Sequence, residues 1–282
     1  MDKQIFFAGG AEKSGTSWLQ RLLDLHPEVS CVGEAHFLES LFPAVKKALE
    51  DHNRFMLDRI ANPFLDEVGE AHPIFDLGDL RYIVASSIAM LLLKRSQGKS
   101  VRAVGERTTQ NLHDFGMLAK FFPGAKCIHI ARDPRDCGIS RWFHTRRSVP
   151  PSARGRMVTK ADFVRQHADY WAAVVGRGVR FGERHPDRYI ELRYEDLVEQ
   201  TAPVLVRLFR FLGVDASPET AERCAREAAF EKLSGGRTRG EEDPESFFRK
   251  GVVGDWKNHL DSETNEYVIE KAGDVMRHFG YL

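Results

Sequence analysis

Residues 5–18, IFFAGGAEKSGTSW, constrain the fold of this chain more than any other segment, because they combine a strand, a glycine-rich turn and a helix start. The first four form a short apolar run, as expected of a buried parallel strand. Gly9, Gly10 and Gly15 allow tight turns and close approach of the backbone to a ligand. Free N–H groups and the positive dipole end at a helix start form an anion site. The segment therefore predicts an α/β fold in which the loop after the first strand binds a phosphate-like group.

The spacing of this loop excludes the most common nucleotide-binding loop. A Walker A loop needs Lys and then Ser or Thr directly after its second Gly. Gly10 and Gly15 have that spacing, but Thr16 stands where the Lys should be, and Lys13 lies on the near side of Gly15. The segment taken alone is also compatible with an ordinary βα turn that carries a solvated lysine.

A second segment repeats the pattern. Residues 126–141, KCIHIARDPRDCGISR, contain an apolar strand, then Arg132, then a helix that opens at Asp133-Pro134 with ordinary N-terminal signals. Arg132 at the strand end and Ser140 about two turns into the helix can grip a phosphate from one side. Two such sites fit a bis-phosphorylated nucleotide that lies across the carboxyl edge of a parallel sheet.

With these motifs, the chain resembles sulfotransferases that use 3′-phosphoadenosine 5′-phosphosulfate (PAPS) and release adenosine 3′,5′-bisphosphate (PAP). The loop EKSGTSW resembles the family's 5′-phosphosulfate loop, and ARDPRDCGIS resembles its 3′-phosphate strand and helix. FRKG at 248–251, continuing to GDWK at 254–257, is similar to the carboxy-terminal segment of the cytosolic branch. YIELRYEDL at 189–197 resembles a family strand and helix start, so the likeness runs from residue 5 to about residue 260.

The resemblance implies which residues bind the cofactor. Trp18 matches a tryptophan that lies against adenine, Phe230 a second aromatic near the base, and Tyr194 a nucleotide-contacting tyrosine, although Trp18 could also be plain core. Arg249, with the two residues after it, matches the segment that closes on the 3′-phosphate. The expected set is Lys13, Ser14, Gly15, Thr16, Ser17, Trp18, Arg132, Ser140, Tyr194, Phe230, Arg249, Lys250 and Gly251. No metal is expected.

The same resemblance suggests how transfer would be catalysed. Sulfuryl transfer between two oxygens depends on positioning and electrostatics, by analogy with phosphoryl transfer. Lys13 and the N–H groups of residues 15–18 would stabilise the leaving phosphate. LHPEV at 25–29 and GEAHF at 33–37 are similar to a run in glycosaminoglycan sulfotransferases. In that branch the glutamate matching Glu34 is the general base and the histidine matching His36 assists.

Two further residues compete for the base role. VGERTT at 104–109 resembles the EKTP motif of the Golgi-type branch, with Arg107 in place of its lysine and Thr109 in place of its proline. It lacks the histidine that the cytosolic branch uses, since His113 comes several residues too late. Glu34 is the preferred base, with Glu106 and His36 next. Glu106 and Arg107 could instead form a structural ion pair.

Composition sets the class of protein. The 282 residues suit one α/β domain spanning 1–282. The 41 basic and 41 acidic residues cancel, so no nucleic-acid or membrane partner is expected. Four cysteines without metal-ligand spacing favour a reducing compartment. The first strand begins too early for a signal peptide to precede it, and the longest apolar stretch, 83–93, is too short to span a bilayer. A cytoplasmic enzyme is expected.

Hydrophobic patterning predicts a P-loop-like parallel sheet flanked by helices, with helical and loop insertions forming an acceptor pocket. The predicted strands are about 4–8, 102–105, 126–131 and 188–193. The predicted helices are 16–25, 36–60 with breaks, 80–97, 114–122, 134–144, 160–182, 195–212, 217–233 and 263–278. Residues 145–158 and 234–246 are predicted to be irregular, either lids over a ligand or exposed connectors.

The acceptor is the least constrained part of the prediction. It should carry a hydroxyl or an amine, on a small molecule, a glycan or a peptide. The apolar candidates for its pocket are Phe37, Phe42 and Phe143, together with His36, whereas Arg146, Arg147 and Arg154 would suit an anionic acceptor. Two other classes of function stay open, a P-loop small-molecule kinase and a non-catalytic nucleotide-binding protein. The oligomeric state is left open.

Overall fold

A five-stranded, wholly parallel sheet forms the centre of the molecule. This computed structural model describes residues 3–60, 74–96, 98 and 100–282. The strand order across the sheet is β2-β3-β1-β4-β5. The strands are β1 Gln4–Gly9, β2 Val29–Val32, β3 Ala103–Arg107, β4 Lys126–Ala131 and β5 Tyr189–Arg193.

Helices connect the strands and cover both faces of the sheet. The α-helices are α1 Thr16–Asp24, α2 Phe42–Ile60, α3 Leu77–Arg95, α4 Asn111–Phe121, α5 Pro134–Ser148, α6 Lys160–Arg184, α7 Tyr194–Glu199, α8 Thr201–Leu212, α9 Pro218–Glu227, α10 Phe230–Leu233 and α11 Ser262–His278. A π-helical turn, Phe37–Leu41, precedes α2. Short 3₁₀ turns lie at Pro151–Arg156, Pro186–Arg188 and Asp255–Asn258.

The sheet separates two hydrophobic cores because successive strand residues point to opposite faces. Ile5 and Phe7 of β1 pack into the core under α3, α4, α6 and α11. Phe6 and Ala8 pack into the other core, with α1, α8 and α9. This burial on both faces explains why β1 is a continuous apolar run.

The order of the strands brings the predicted motifs to one edge of the sheet. β1 pairs with β3 on one side and with β4 on the other. The loop after β1 therefore lies beside the end of β4, so closely that a Cβ on Gly10 would lie 2.4 Å from the Ile130 carbonyl oxygen. Ligands of open α/β sheets bind at such a point, outside the carboxyl ends of the strands.

The predicted parallel sheet with flanking helices is confirmed. The prediction missed β2, because four residues between a histidine-proline turn and Gly33 give too short a run to stand out. The predicted helix 195–212 is two helices that meet at Gln200. The predicted helix 217–233 is interrupted between Glu227 and Phe230.

The two segments predicted to be irregular contact each other. Within 145–158, helix α5 continues to Ser148 and a 3₁₀ turn follows, whereas 234–246 carries no helix or strand. Arg147 donates a hydrogen bond to the Ser246 carbonyl oxygen at 2.6 Å, and Arg154 pairs with Glu245 at 3.4 Å. In the part of the chain that is described, none of the helices has the length and apolar character needed to cross a bilayer. The end of the predicted helix 80–97 at Gln97 lies outside the described residues.

Candidate active site

A cleft of about 400 Å³ opens at the carboxyl edge of the sheet and brings together most of the residues that the sequence singled out. The predicted site residues that line it are Lys13, Gly15, Thr16, Ser17, Trp18, Glu34, His36, Arg132, Ser140, Tyr194, Phe230, Arg249, Lys250 and Gly251. Ser14, Glu106 and Arg107 are buried beside or beneath it and do not line it.

The loop between β1 and α1 presents unpaired donors to the cleft. Among the described residues, the backbone N–H groups of Gly15, Thr16 and Ser17 have no hydrogen-bond acceptor. Gly15 has φ +96°, and a Cβ there would lie 2.5 Å from the Tyr194 ring, so only glycine fits. Ser14 is fully buried and its hydroxyl donates to the Ala11 carbonyl, which stabilises the turn from below. A helix start with free N–H groups is suited to bind an anion.

Lys13 has an uncommon backbone conformation and a lowered side-chain pKa. Its backbone has φ +69°, a left-handed conformation uncommon outside glycine and often found at functional sites. Burial, with smaller contributions from the charges of Arg147 and Arg132, lowers the pKa of Lys13 to about 8. Its ammonium group lies 4.7 Å from the Phe247 ring centroid. The lysine is therefore a desolvated cation that an incoming anion would stabilise.

Arg132 and Ser140 form a second group of donors. The Arg132 guanidinium is buried and donates to the carbonyls of Lys13 at 3.4 Å and Val252 at 3.2 Å, while Asp136 lies 3.5 Å away. Its Nε is buried without a partner in the described part of the protein. Ser140 lines the cleft, and its hydroxyl likewise has no hydrogen-bond partner among those residues. Unsatisfied buried donors are costly, and a bound anion would satisfy them.

The carboxy-terminal segment supplies cations that already have partners. Arg249 pairs with Glu242 and Asp255, and Lys250 lies 2.7 Å from Asp255 and 3.9 Å from Glu242. Although burial acts to raise it, hydrogen bonds from Lys250 and Arg249 hold the pKa of Asp255 well below its ordinary value. Gly251 has φ +68° and lies directly against the Phe230 ring.

The aromatic rings of Trp18, Tyr194 and Phe230 line one end of the cleft. The Trp18 indole donates to the Ala228 carbonyl at 2.8 Å, which fixes its plane. It meets Tyr194 edge to face at 5.9 Å between ring centroids. Phe230 is buried at the start of α10. A planar base can stack on rings fixed in this way.

The opposite end of the cleft carries the candidate base. Glu34 accepts a hydrogen bond from Arg107 at 2.5 Å, and the same guanidinium donates to Gln20 at 3.0 Å. His36, with φ +50°, has its Nε2 3.8 Å from the Glu34 carboxylate. Its Nδ1 bonds to Glu39, which the sequence reasoning missed; that hydrogen bond is the main cause of a raised pKa for His36.

Glu106 occupies a different environment from Glu34. It is fully buried and accepts hydrogen bonds from Thr108 at 2.7 Å and Asn111 at 2.6 Å, and burial raises its pKa. The Thr108 hydroxyl in turn accepts from the backbone N–H groups of Ala35 and His36. The ion pair that the sequence suggested between Glu106 and Arg107 is wrong, since Arg107 pairs with Glu34.

The residues that line the cleft differ from the acceptor-pocket residues that the sequence suggested. Of the acceptor candidates named from sequence, only His36 lines the cleft; the three phenylalanines and the three arginines do not. Among the described residues of 74–96, which include α3, none lines it. The lining residues to which the sequence assigned no role in the site are Glu12, Thr109, Gln110, Arg141, His144, Thr145, Leu233, Arg239, Phe247, Phe248 and Val252. Glu12 and Arg141 form an ion pair.

Comparison of the sequence with curated proteins finds sulfotransferases. The curated cytosolic sulfotransferase 16 of Arabidopsis thaliana is 30% identical over 162 residues, covering 50% of this chain and 47% of that protein. The 3-beta-hydroxysteroid sulfotransferase of Cavia porcellus is 23% identical over 159 residues, covering 50% of this chain and 52% of that protein. The chain thus spans about half the length of the curated relatives it matches.

Similarity of fold extends further than similarity of sequence. The crystal structure of mouse sulfotransferase SULT7A1 complexed with PAP superposes with a TM-score of 0.59 at 21% identity, covering 98% of this chain and 85% of that one. At this identity the likeness shows the fold alone. The family model described as the sulfotransferase domain matches residues 2–280. The chain therefore belongs to the sulfotransferase domain family.

Proposed function

We propose that this protein is a sulfotransferase that moves the sulfuryl group of PAPS to a hydroxyl, or an amine, of an acceptor. The observation that carries the proposal is a single cleft that joins two groups of unpaired anion donors, a desolvated lysine and a carboxylate. When bound, PAPS supplies an activated sulfuryl group whose departure leaves PAP.

The residues present fit this cofactor. The N–H groups of Gly15 to Ser17 suit its 5′-phosphosulfate, and Arg132 with Ser140 suits its 3′-phosphate, because both sets have donors without partners in the described structure. The adenine would lie on the aromatic end beside Trp18 and Phe230. No group of His, Cys, Asp and Glu side chains among the described residues is placed to hold a metal.

Lys13 and the helix start would stabilise the leaving phosphate. Their charges are fixed in place before reaction, so they need no reorganisation when negative charge grows on the bridging oxygen. Burial makes the lysine's interaction with that charge stronger than it would be in water. Lys13 is therefore the proposed catalytic cation.

Glu34 would take the proton of the acceptor. Its side chain is half exposed toward the cleft and is oriented by Arg107, which keeps one carboxylate oxygen engaged and leaves the other beside His36. Glu39 orients His36 from behind. Glu106, which does not reach the cleft, acts as a positioning residue that holds the turn of Glu34 and His36 through Thr108.

The acceptor is proposed to be polar. The cleft wall outside the nucleotide motifs includes the Glu12–Arg141 ion pair, His144 and Thr145. An apolar acceptor would shield these polar groups from water without offering them hydrogen bonds, which costs free energy. A steroid acceptor, as named for the relative from Cavia porcellus, fits this wall less well. The names of the Arabidopsis relatives support a cytoplasmic setting.

Thermal stability in the presence of nucleotides tests the cofactor assignment. PAP should raise the melting temperature without metal, by the equivalent of roughly 2.7 kcal/mol at a hundredfold excess over its Kd, and AMP should raise it much less. Transfer is then tested with labelled PAPS and a set of polar alcohols and amines. Equal shifts with PAP and AMP reject the PAPS assignment. A shift seen only with ATP and Mg²⁺ indicates a kinase, and PAP binding without transfer to any acceptor indicates a nucleotide-binding protein.

A further inference from the structure

The aromatic rings that line the cleft are not equally open to a ligand. The face of Tyr194 is covered by the Arg132 guanidinium, whose central carbon lies 4.4 Å from the ring centroid. Phe247 lies against the Lys13 ammonium. Trp18 and Phe230 also line the cleft and are otherwise buried, and the Arg237 guanidinium lies 5.9 Å from the Phe230 centroid.

Arg239 lies between these two rings. Its guanidinium carbon is 5.3 Å from the Trp18 centroid and 5.4 Å from the Phe230 centroid. A guanidinium stacked directly on a ring is closer, as Arg135 on Trp256 shows at 3.9 Å. Arg239 therefore contacts both rings, and each of these contacts is looser than that of Arg135 with Trp256.

The guanidinium of Arg239 is held in place but has donors to spare. Its Nη1 donates to the Gly251 carbonyl at 2.6 Å, and its other nitrogens have no acceptor among the described residues although the side chain lines the cleft. It carries no acidic partner within the described structure, unlike Arg249 and Lys250. A cation with free donors at the rim of an aromatic slot is suited to a ligand that is both flat and rich in acceptor atoms.

The backbone around Arg239 is also ordered in advance. The neighbouring Arg237 donates to the carbonyls of Glu241, Phe248 and Arg249 and to the Ser246 hydroxyl. These hydrogen bonds hold residues 237–249 together as one compact loop. Fixing the segment before ligand arrives lowers the entropy that binding must otherwise remove.

We propose that Arg239 is a base-binding residue that holds the purine of the nucleotide between Trp18 and Phe230. This rests on the proposed function, which supplies a purine nucleotide as ligand. Arg239 covers the open side of the slot through cation–π contact and donates to ring nitrogens, which in adenine are acceptors. Arg239 lies in segment 234–246, which is predicted from sequence to be a lid or a connector, and it is outside the motifs that carry the family resemblance.

Two other roles for Arg239 predict different effects of its removal on the binding of PAP and AMP. If Arg239 acted only through Gly251, its loss would affect binding of the 3′-phosphate, with which the family resemblance associates residues 249–251. If it merely filled the slot in the absence of ligand, its removal would strengthen binding. A role at the base affects every ligand that carries adenine, with or without a 3′-phosphate.

Calorimetric titration of Arg239→Ala with PAP and with AMP separates these roles. The base-binding role predicts that the Kd for both ligands rises by the same factor, about 3- to 30-fold. Arg239→Lys should recover part of the loss, because it keeps the charge but not the planar fork. Arg146→Ala is the matched control, since Arg146 lies 5.5 Å from the Trp142 ring but does not line the cleft.

A loss confined to PAP, an unchanged Kd, or tighter binding would each overturn the base-binding role. Melting temperatures without ligand show that each variant is folded. If the unaltered protein itself fails to bind PAP, the proposed function fails. If the unaltered protein binds PAP, and Arg239→Ala leaves the Kd for PAP and the Kd for AMP unchanged, only the role of Arg239 is rejected.

Discussion

The two ends of the cleft are built in different ways. At the nucleotide end the anion donors are backbone N–H groups and a guanidinium whose side chain is only 10% exposed. At the acceptor end the carboxylate of Glu34 and the ring of His36 are 50% and 42% exposed. The proposed cofactor donors thus belong to the packed sheet edge, whereas Glu34, the proposed proton acceptor, lies on a turn that solvent reaches. Substitutions at the first end should change binding, and substitutions at the second should change turnover.

The strongest test of this difference is Glu34→Gln. The amide keeps the shape of the side chain but cannot accept the proton, so turnover should fall by about two to four orders of magnitude. The Kd for PAP should stay unchanged, because Glu34 is exposed and lies away from the anion donors. Single-turnover rates with PAPS bound, together with calorimetric titration of PAP, measure both quantities. A variant that keeps most of its rate would remove Glu34 as the base.

Glu106→Gln is the matched control for Glu34→Gln. The buried Glu106 accepts hydrogen bonds from Thr108 and Asn111, and an amide cannot accept both without turning its own donor toward one of them. The free energy of unfolding should fall by about 1–3 kcal/mol, with a smaller effect on turnover per folded molecule. A folded but inactive Glu106→Gln, beside an active Glu34→Gln, would transfer the base role to Glu106.

Lys13→Ala probes the boundary between the two ends. Because the charge that the lysine is proposed to stabilise grows during transfer, turnover should fall by roughly 10²–10³ while the affinity for PAP falls much less. Steady-state measurement of kcat and KM for PAPS separates the two effects. If only the KM for PAPS changes, Lys13 acts in binding alone, together with the other anion donors, and does not stabilise the leaving phosphate during transfer.

Arg132→Ala should act on the nucleotide end alone. Loss of a charge-assisted contact to the 3′-phosphate should cost about 1.5–3 kcal/mol of PAP affinity, roughly 10- to 150-fold in Kd, with little change for AMP. Ser140→Ala is the milder companion, since it removes one neutral donor without disturbing the carbonyls that Arg132 holds. Equal losses for PAP and AMP would show that Arg132 shapes the cleft rather than reads the 3′-phosphate.

The smallest expected effect is a pH dependence of binding. Lys13 has a pKa of about 8 without nucleotide, lowered by burial, and the anion binds its protonated form. Affinity for PAP should therefore be constant below pH 8 and weaken above it, by no more in total than the loss that Lys13→Ala causes. Lys13→Met should flatten this profile. A profile that is already flat in the unaltered protein would mean that the ammonium is not part of the anion site.

The nucleotide end could be predicted from sequence because its residues come in contiguous motifs. The loop after β1 and the segment after β4 each carry a strand, a turn and a helix start within a few residues, and these local signals predict both conformation and chemistry. Their meeting at one edge follows from parallel strands, whose carboxyl ends lie together.

The acceptor end could not be predicted in the same way. Glu34 and Arg107 are 73 residues apart and meet only because β2 lies beside β3, with Val32 opposite Glu106. Neighbours in a strand point to opposite faces, so Glu106 turns inward while Arg107 reaches the cleft side. The four-residue β2 was not recognised, so its pairing could not be used. Arg239 gave no local signal either, because its place depends on Trp18, far away in the sequence.

The ion pairs of the carboxy-terminal segment have a consequence for selectivity. Arg249 and Lys250 carry two positive charges, and Glu242 and Asp255 carry two negative charges within the same cluster. An anion that reaches this cluster meets no bare cation; it must take the place of an internal counter-ion that is already well seated. Free phosphate or sulfate would gain little from such an exchange, whereas a nucleotide held at its other proposed contacts would present its 3′-phosphate at high effective concentration. On the proposed function, the cluster would act as an ion exchanger whose resident ions belong to the protein itself, and it would favour the tethered nucleotide over common cellular anions.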